Sequence, residues 1–206
     1  MKTAIDIVLL PSPAMTAKAI EINRELLKTA EHKIVLGEQT CLPHVTLCMG
    51  VIDNADLPRA KEILKAIVQD YSTFELTIER MRADTIPTGK IVSGLRIKST
   101  GPLRKLQAAV MDSLWPYLSY DVDASMLYNP PEIEDVTFTW IRGYAKKHDD
   151  PSLFSPHMTV GFGKTDVFAK EFPMRFSTST LALGQLGNYC TCRKALERFK
   201  LATIYF

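Results

Sequence analysis

Two octets in the chain hold residue types that can move protons. Residues 43–50 read PHVTLCMG and residues 156–163 read PHMTVGFG. The proline, histidine, threonine and final glycine are identical. Three further positions agree in apolar character: Val45/Met158, Leu47/Val160 and Met49/Phe162. The chain has four histidines, so two of them at matched places in a short repeat is a signal rather than scatter. An imidazole titrates near pH ~6.5 and has both protonation states available at neutral pH. One ring can take a proton from a nucleophile while a second gives one to a leaving oxygen. Two threonine hydroxyls beside them can hydrogen-bond the non-bridging oxygens of a phosphate.

Such chemistry needs the four side chains on one face. On a strand, residues i and i+2 point the same way, which puts His44 with Thr46 and His157 with Thr159. Simple alternation then sends Val45, Leu47 and Met49 to the core, with Met158, Val160 and Phe162 doing the same. It leaves the small Cys48 and Gly161 on the open face, where they make room for a ligand. The proline before each histidine fixes the strand entry.

The elements around the octets follow from periodicity. Residues 3–10 read as a strand, ended by Pro11 and Pro13. Residues 14–31 form an amphipathic helix, with Ile20, Leu27 and Met15 or Ala19 on its apolar stripe. Residues 33–37 and 44–51 are short strands. Residues 56–70 form a second helix, with Pro58 in its first turn. Residues 73–82 and 90–98 form a hairpin around the turn at 86–89. A third helix covers 102–118. Residues 119–134 are polar, contain Asn129–Pro130–Pro131, and read as loop. Residues 135–145, DVTFTWIRGYA, read as a strand, followed by a loop into the strand at 157–162. Strands near 178–185 and over 189–205 finish the chain. The order implies an α+β fold with mostly antiparallel sheets.

Bulk composition sets limits. With 206 residues, 46% hydrophobic and 23% charged, the chain can bury a sizeable core. A net charge of +2 suits a small anionic ligand or an RNA end better than a long nucleic-acid tract. Asp6 interrupts the first apolar run and argues against a signal peptide. No apolar run reaches the ~18–20 residues that span a bilayer. Cys41, Cys48, Cys190 and Cys192 lack paired zinc-knuckle spacing and read as reduced thiols, which fits a cytoplasmic protein.

Paired H-Φ-T-Φ motifs (Φ apolar) resemble those of the two-histidine, or 2H, phosphoesterase superfamily, which includes LigT-like 2'-5' RNA ligases and cyclic phosphodiesterases. The resemblance covers nearly the whole chain, with its specific part in the two octets. It implies a bilobal duplicated α+β fold with a central cleft between two sheets and helices outside, all within one domain spanning residues 1–206. It implies metal-independent phosphodiester chemistry on 2',3'-cyclic phosphates or 2'-5' linkages in RNA or nucleotides. It carries His44 and His157 over as catalytic residues and Thr46 and Thr159 as phosphate-binding ones, with no cofactor. The segment 119–156 is longer and more irregular than a minimal member needs, and reads as a lid or substrate-specificity segment.

Competing readings remain. A lone histidine at a strand start would be a core residue, but the duplication speaks against that here. Zinc would need three or four ligands, and both octets offer threonine at the matched position, a poor one. His32 and His148 read as solvated. Tyr144, Phe154 and Tyr128 are candidate aromatic platforms for a base, and Arg142 and Lys164 candidate phosphate contacts. Each has packing or solvation as its plain alternative. A nucleotide or RNA-end binder without turnover is the alternative of another class, and RNA ligation is a third. No obligate protein partner is evident.

Overall fold

The computed structural model describes residues 1–31, 34–128 and 133–202. The elements are β1 (Lys2–Leu10), α1 (Pro13–Leu26), β2 (Val45–Asp53), α2 (Leu57–Ile67), β3 (Phe74–Thr85), β4 (Ile91–Ile97), α3 (Gly101–Leu114), β5 (Leu118–Ser119), α4 (Asp135–Tyr144), α5 (Lys146–Asp149), β6 (His157–Phe162), β7 (Met174–Thr178), β8 (Thr180–Leu186) and β9 (Cys192–Lys200). The strands form two sheets, one ordered β5-β2-β1-β8-β9 and the other β6-β4-β3-β7. Every pairing between these strands is antiparallel. This is the expected α+β class.

β1 is the central strand of the first sheet. Residues Ala4 to Leu9 are all buried, so the segment is an apolar run rather than an alternation. α1 follows β1 in sequence yet packs on β6 of the second sheet. Its buried residues are Met15, Ala19, Ile22, Asn23 and Leu26, a stripe displaced from the expected Ile20 and Leu27. Asn23 joins the two: its Nδ2 donates to the Ile34 and Val160 carbonyls, each at 2.7 Å, and its Oδ1 accepts from the Leu36 amide at 2.9 Å. α2 and α3 pack together, with α3 against β2.

Residues 135–144 are the helix α4, not the expected strand. Val136, Phe138 and Trp140 alternate with polar residues, but burial falls on Val136, Thr137, Ile141 and Tyr144, the spacing of one helix face. Tertiary contacts decide the matter. α4 packs on β2 and on the turn Asn188–Cys190. There Asn188 Oδ1 accepts from the Glu134 amide at 3.1 Å and from Thr137 Oγ at 2.8 Å.

Smaller differences follow the same logic. The expected strand at 33–37 is an isolated bridge between Leu36 and Cys41, and Lys33 and His32 lie outside the described residues. The 178–185 strand is β8, preceded by β7 in the other sheet, so the chain changes sheets at Ser179. Asn129–Pro130–Pro131 and residues 203–205 of the last strand also lie outside the described residues.

Candidate active site

Both octets sit on strands that face one cleft of about 530 Å³, lined by His44, Thr46, His157 and Thr159 together. That volume is in the usual range for a small-molecule site. In each half-site the ring is tied in the same way. His44 Nδ1 lies 2.7 Å from the Leu42 carbonyl oxygen and His157 Nδ1 2.9 Å from that of Ser155, the residue two before in both cases. A carbonyl only accepts, so each Nδ1 carries the hydrogen. Each Nε2 is then the nitrogen left for proton transfer.

Each octet also carries a β-bulge at the same place. Between β1 and β2 the register runs Val8↔Thr46 and then Ile7↔Cys48, leaving Leu47 extra. Between β4 and β6 it runs Gly94↔Thr159 and then Ser93↔Gly161, leaving Val160 extra. A bulge resets the alternation of side chains, which corrects the expectation for the later octet positions. Met49 turns to the cleft and lines it. Phe162 packs edge-on against Tyr189 of the cleft wall, with ring centroids 4.8 Å apart. Cys48 is fully buried. Gly161 faces α1, where a Cβ would meet Asn23 Nδ2 at 2.9 Å, and its φ of +140° is strained for any other residue. Neither Cys48 nor Gly161 opens space for a ligand. Gly161 admits α1 instead.

The half-sites differ in their surroundings. Asp6, fully buried on β1, has Oδ2 3.3 Å from His44 Nε2 and accepts a hydrogen bond from Thr46 Oγ at 3.0 Å. Burial pushes the Asp6 carboxyl up, against the pull of His44 and Thr46. Burial alone would lower His44, but the hydrogen bond and charge of Asp6 outweigh it and the ring sits above its ordinary value. The two groups form one coupled unit. Desolvation by the surrounding protein lowers His157 against the pull of its hydrogen bond to the Ser155 carbonyl, and the charges of Lys147, His44 and Arg96 add to the lowering. The ring is open to the cleft, so solvent screens part of this.

Other candidates divide. Tyr144 lines the cleft, but its hydroxyl is buried and donates to the carbonyl of the bulge residue Leu47 at 3.0 Å, a structural task. Phe154 lines the cleft and is buried. Arg142 is exposed on the far side of α4, donates to the Val122 carbonyl at 3.1 Å and lies over the Phe138 ring. Tyr128 packs under Arg193. Neither Arg142, Tyr128 nor Lys164 lines the cleft.

Sequence reasoning missed Asp6, Lys147, Arg96 and Trp140. Lys147 lines the cleft with its Nζ 4.0 Å from the Tyr144 ring centroid. Burial lowers it from the lysine range, partly offset by Asp6. Arg96 stands across from His157 and is hydrogen-bonded to Ser155 Oγ. Trp140 and Thr139 of α4 complete the wall. Asp6 had a signal, a carboxylate inside an apolar run. Trp140 was hidden by the strand reading, and Lys147 by the charged segment KKHDD. Among the described residues no three His, Cys, Asp or Glu side chains gather as a metal site.

Comparison with known proteins agrees with this fold. The family model of the 2'-5' RNA ligase superfamily matches residues 36–184. No curated protein sequence matches significantly. Among solved structures, TT0787 of Thermus thermophilus is similar over 98% of this chain and 100% of its own, with a TM-score of 0.62 at 18% identity. Escherichia coli LigT complexed with ATP is similar over 98% of this chain and 100% of its own (TM-score 0.56, 14% identity). LigT complexed with 3'-AMP gives a TM-score of 0.52 at 15% identity over 98% and 100%. At such identities the structures speak for the fold, and the family model spans well over half of the chain. The chain belongs to the 2'-5' RNA ligase superfamily, the LigT-like group of 2H phosphoesterases.

Proposed function

We propose that this protein is a phosphodiesterase that opens 2',3'-cyclic phosphates or cleaves 2'-5' linkages at RNA ends or in nucleotides, without a metal ion. The observation that carries the reading is the pair of half-sites facing one cleft, each with its Nδ1 held by a carbonyl two residues back. A phosphodiester bound between them meets one imidazole on each side. One histidine takes the proton of water or of a ribose hydroxyl, and the other protonates the leaving oxygen. Thr46 and Thr159 hold non-bridging oxygens. Thr46 first turns its hydroxyl from Asp6, whereas Thr159 Oγ has no intramolecular bond among the described residues. Lys147 and Arg96 add positive charge where the phosphoryl oxygens gain negative charge. Trp140 and Phe154 offer apolar surface for a base.

The LigT structures with ATP and 3'-AMP support a nucleotide ligand by analogy. The whole chain reads as one two-lobed domain. Its segment 119–156, which contributes Trp140, Lys147 and Phe154 to the wall, reads as the part that sets substrate choice. No helix among the described residues is long and apolar enough to cross a membrane, and the cysteines are free thiols. Both suit a cytoplasmic setting.

The test is incubation with 2',3'-cyclic nucleotides and with 2'-5'-linked oligonucleotides in EDTA. The expected result, undiminished by the chelator, is a phosphomonoester from the cyclic nucleotide and, from the 2'-5' oligonucleotide, cleavage to a free 5'-hydroxyl with a phosphomonoester end when water attacks or a 2',3'-cyclic end when the ribose hydroxyl attacks. Tight binding with no product would instead make the protein an RNA-end or nucleotide binder. The ligase activity in the family's name favours one second reading, which adding a 5'-hydroxyl acceptor to a 2',3'-cyclic end separates from hydrolysis.

A further inference from the structure

The two half-sites share backbone, bulge and ring anchoring, and differ in what the adjoining strand supplies. In the first, Val8 stands across from Thr46 and Asp6 across from Met49. In the second, Gly94 stands across from Thr159 and Val92 across from Phe162. Asp6 therefore holds the place that valine holds in the duplicate. The reverse substitution occurs four residues further along the strand. Arg96 stands across from His157, while Leu10 follows Leu9, the partner of Val45, and so falls beside His44. A carboxylate flanks one histidine and a guanidinium flanks the other.

Asp6 is costly where it stands. Its side chain has no solvent exposure, and Oδ1 has no hydrogen-bond partner among the described residues. A buried carboxylate with an orphan oxygen lowers stability, and a core strand has no packing need for one. Its Oδ2 reaches both members of the first pair, Thr46 Oγ and His44 Nε2. The ionisable groups around it come from several elements: Cys48 on β2, Tyr144 on α4, Lys147 on α5, Cys190 in the turn before β9, and Cys192 on β9, with His157 on β6 across the cleft. Burial drives the three thiols and the tyrosine hydroxyl upward and keeps them neutral. The charged partners left to the carboxylate are His44 and Lys147.

We propose that Asp6 is a positioning residue that gives the site a direction: beside it His44 keeps its proton for the leaving oxygen, while His157, facing Arg96 and Lys147, stays neutral and takes the proton of the nucleophile. The inference rests on the acid–base reading above. One proton enters at His157 and one leaves from His44, and exchange with solvent restores both rings. The 3.3 Å contact of Nε2 with Asp6 is at the long end of a hydrogen bond, so the Nε2 hydrogen can be shared with a substrate oxygen bound beside the ring. When a 2',3'-cyclic phosphate is opened, the ribose oxygen that departs lies on the β2 side and the attacking water on the β6 side.

The test is a histidine-ring NMR titration of the whole protein, wild type and Asp6→Asn. His44 titrates at higher pH than His157 in the wild type, and the gap narrows in Asp6→Asn. His44 titrating with or below His157, or a gap unchanged by the substitution, overturns the proposal. No turnover is needed, so this result stands apart from success or failure of the proposed activity. Should Asp6→Asn not fold, the wild-type order alone decides. For an active enzyme, leaving-group dependence gives a second readout. On cyclic nucleotides Asp6→Asn and His44→Ala lose about 10²-fold in kcat, with KM near wild type for Asp6→Asn. On a p-nitrophenyl phosphodiester, whose leaving group needs no proton, the losses in both variants are smaller than on cyclic nucleotides, while His157→Ala loses activity on both substrates to the same extent. The opposite pattern overturns the assignment.

Discussion

His44 and His157 are matched in sequence and unlike in surroundings, and the difference is measurable. Asp6 raises the first, while nearby protein and positive charge lower the second. A site that needs His44 protonated and His157 neutral gives a bell-shaped kcat/KM against pH. The acid limb reports His157 gaining a proton, and the alkaline limb His44 losing one. Asp6→Asn moves the alkaline limb to lower pH and leaves the acid limb in place. Stability follows the same signs. The contribution of His44 is full below its unfolded value of ~6.5 and is lost as pH rises through its raised folded value. For His157 the folded state favours the neutral ring, so stability falls as pH drops below ~6.5. Urea midpoints of His157→Gln therefore decline less steeply from about pH 7 to 5 than those of the wild type, and an identical slope would count against it. The four tetrad residues were legible because identity at matched spacing needs no structure. Asp6 was visible as an interruption in TAIDIVLL, but its partner lies forty positions away, beyond the reach of local pattern.

At the scale of elements, strands and helices with a buried stripe and an exposed face were legible from period alone. The two bulges were not, because a bulge is a relation between two strands. α4 was misread because β-branched and aromatic residues in alternation mimic a strand, and its burial against β2 and the Asn188 turn overrides them. Two substitutions test how these elements hold the site. Asn23→Ala leaves two carbonyls and one amide unpaired between α1 and β6, and costs about 2–4 kcal/mol in urea unfolding. Tyr144→Phe removes the donor to the bulge carbonyl of Leu47 and costs about 1–2 kcal/mol. Its effect on kcat is smaller than that of removing either histidine. Wild-type stability in Asn23→Ala would show that α1 docks by apolar packing alone.

The whole molecule joins two antiparallel sheets so that strands far apart in sequence face one cleft. Identities of 14–18% to solved relatives accompany coverage of nearly the entire chain, so the fold persists at low sequence identity. The proposed function assigns substrate choice to the cleft walls, and their residues Trp140, Lys147 and Phe154 on the 119–156 segment were the least legible part of the sequence. The proposed function assigns reaction type to the paired strands. The most direct measurement of joint action is kcat/KM on a 2',3'-cyclic nucleotide, in EDTA, for His44→Ala, His157→Ala and the double variant. Groups that act as one unit are not additive. Each single variant loses about 10²–10⁴-fold, and the double variant loses little more than either. Full activity in either single variant would contradict the two-histidine site.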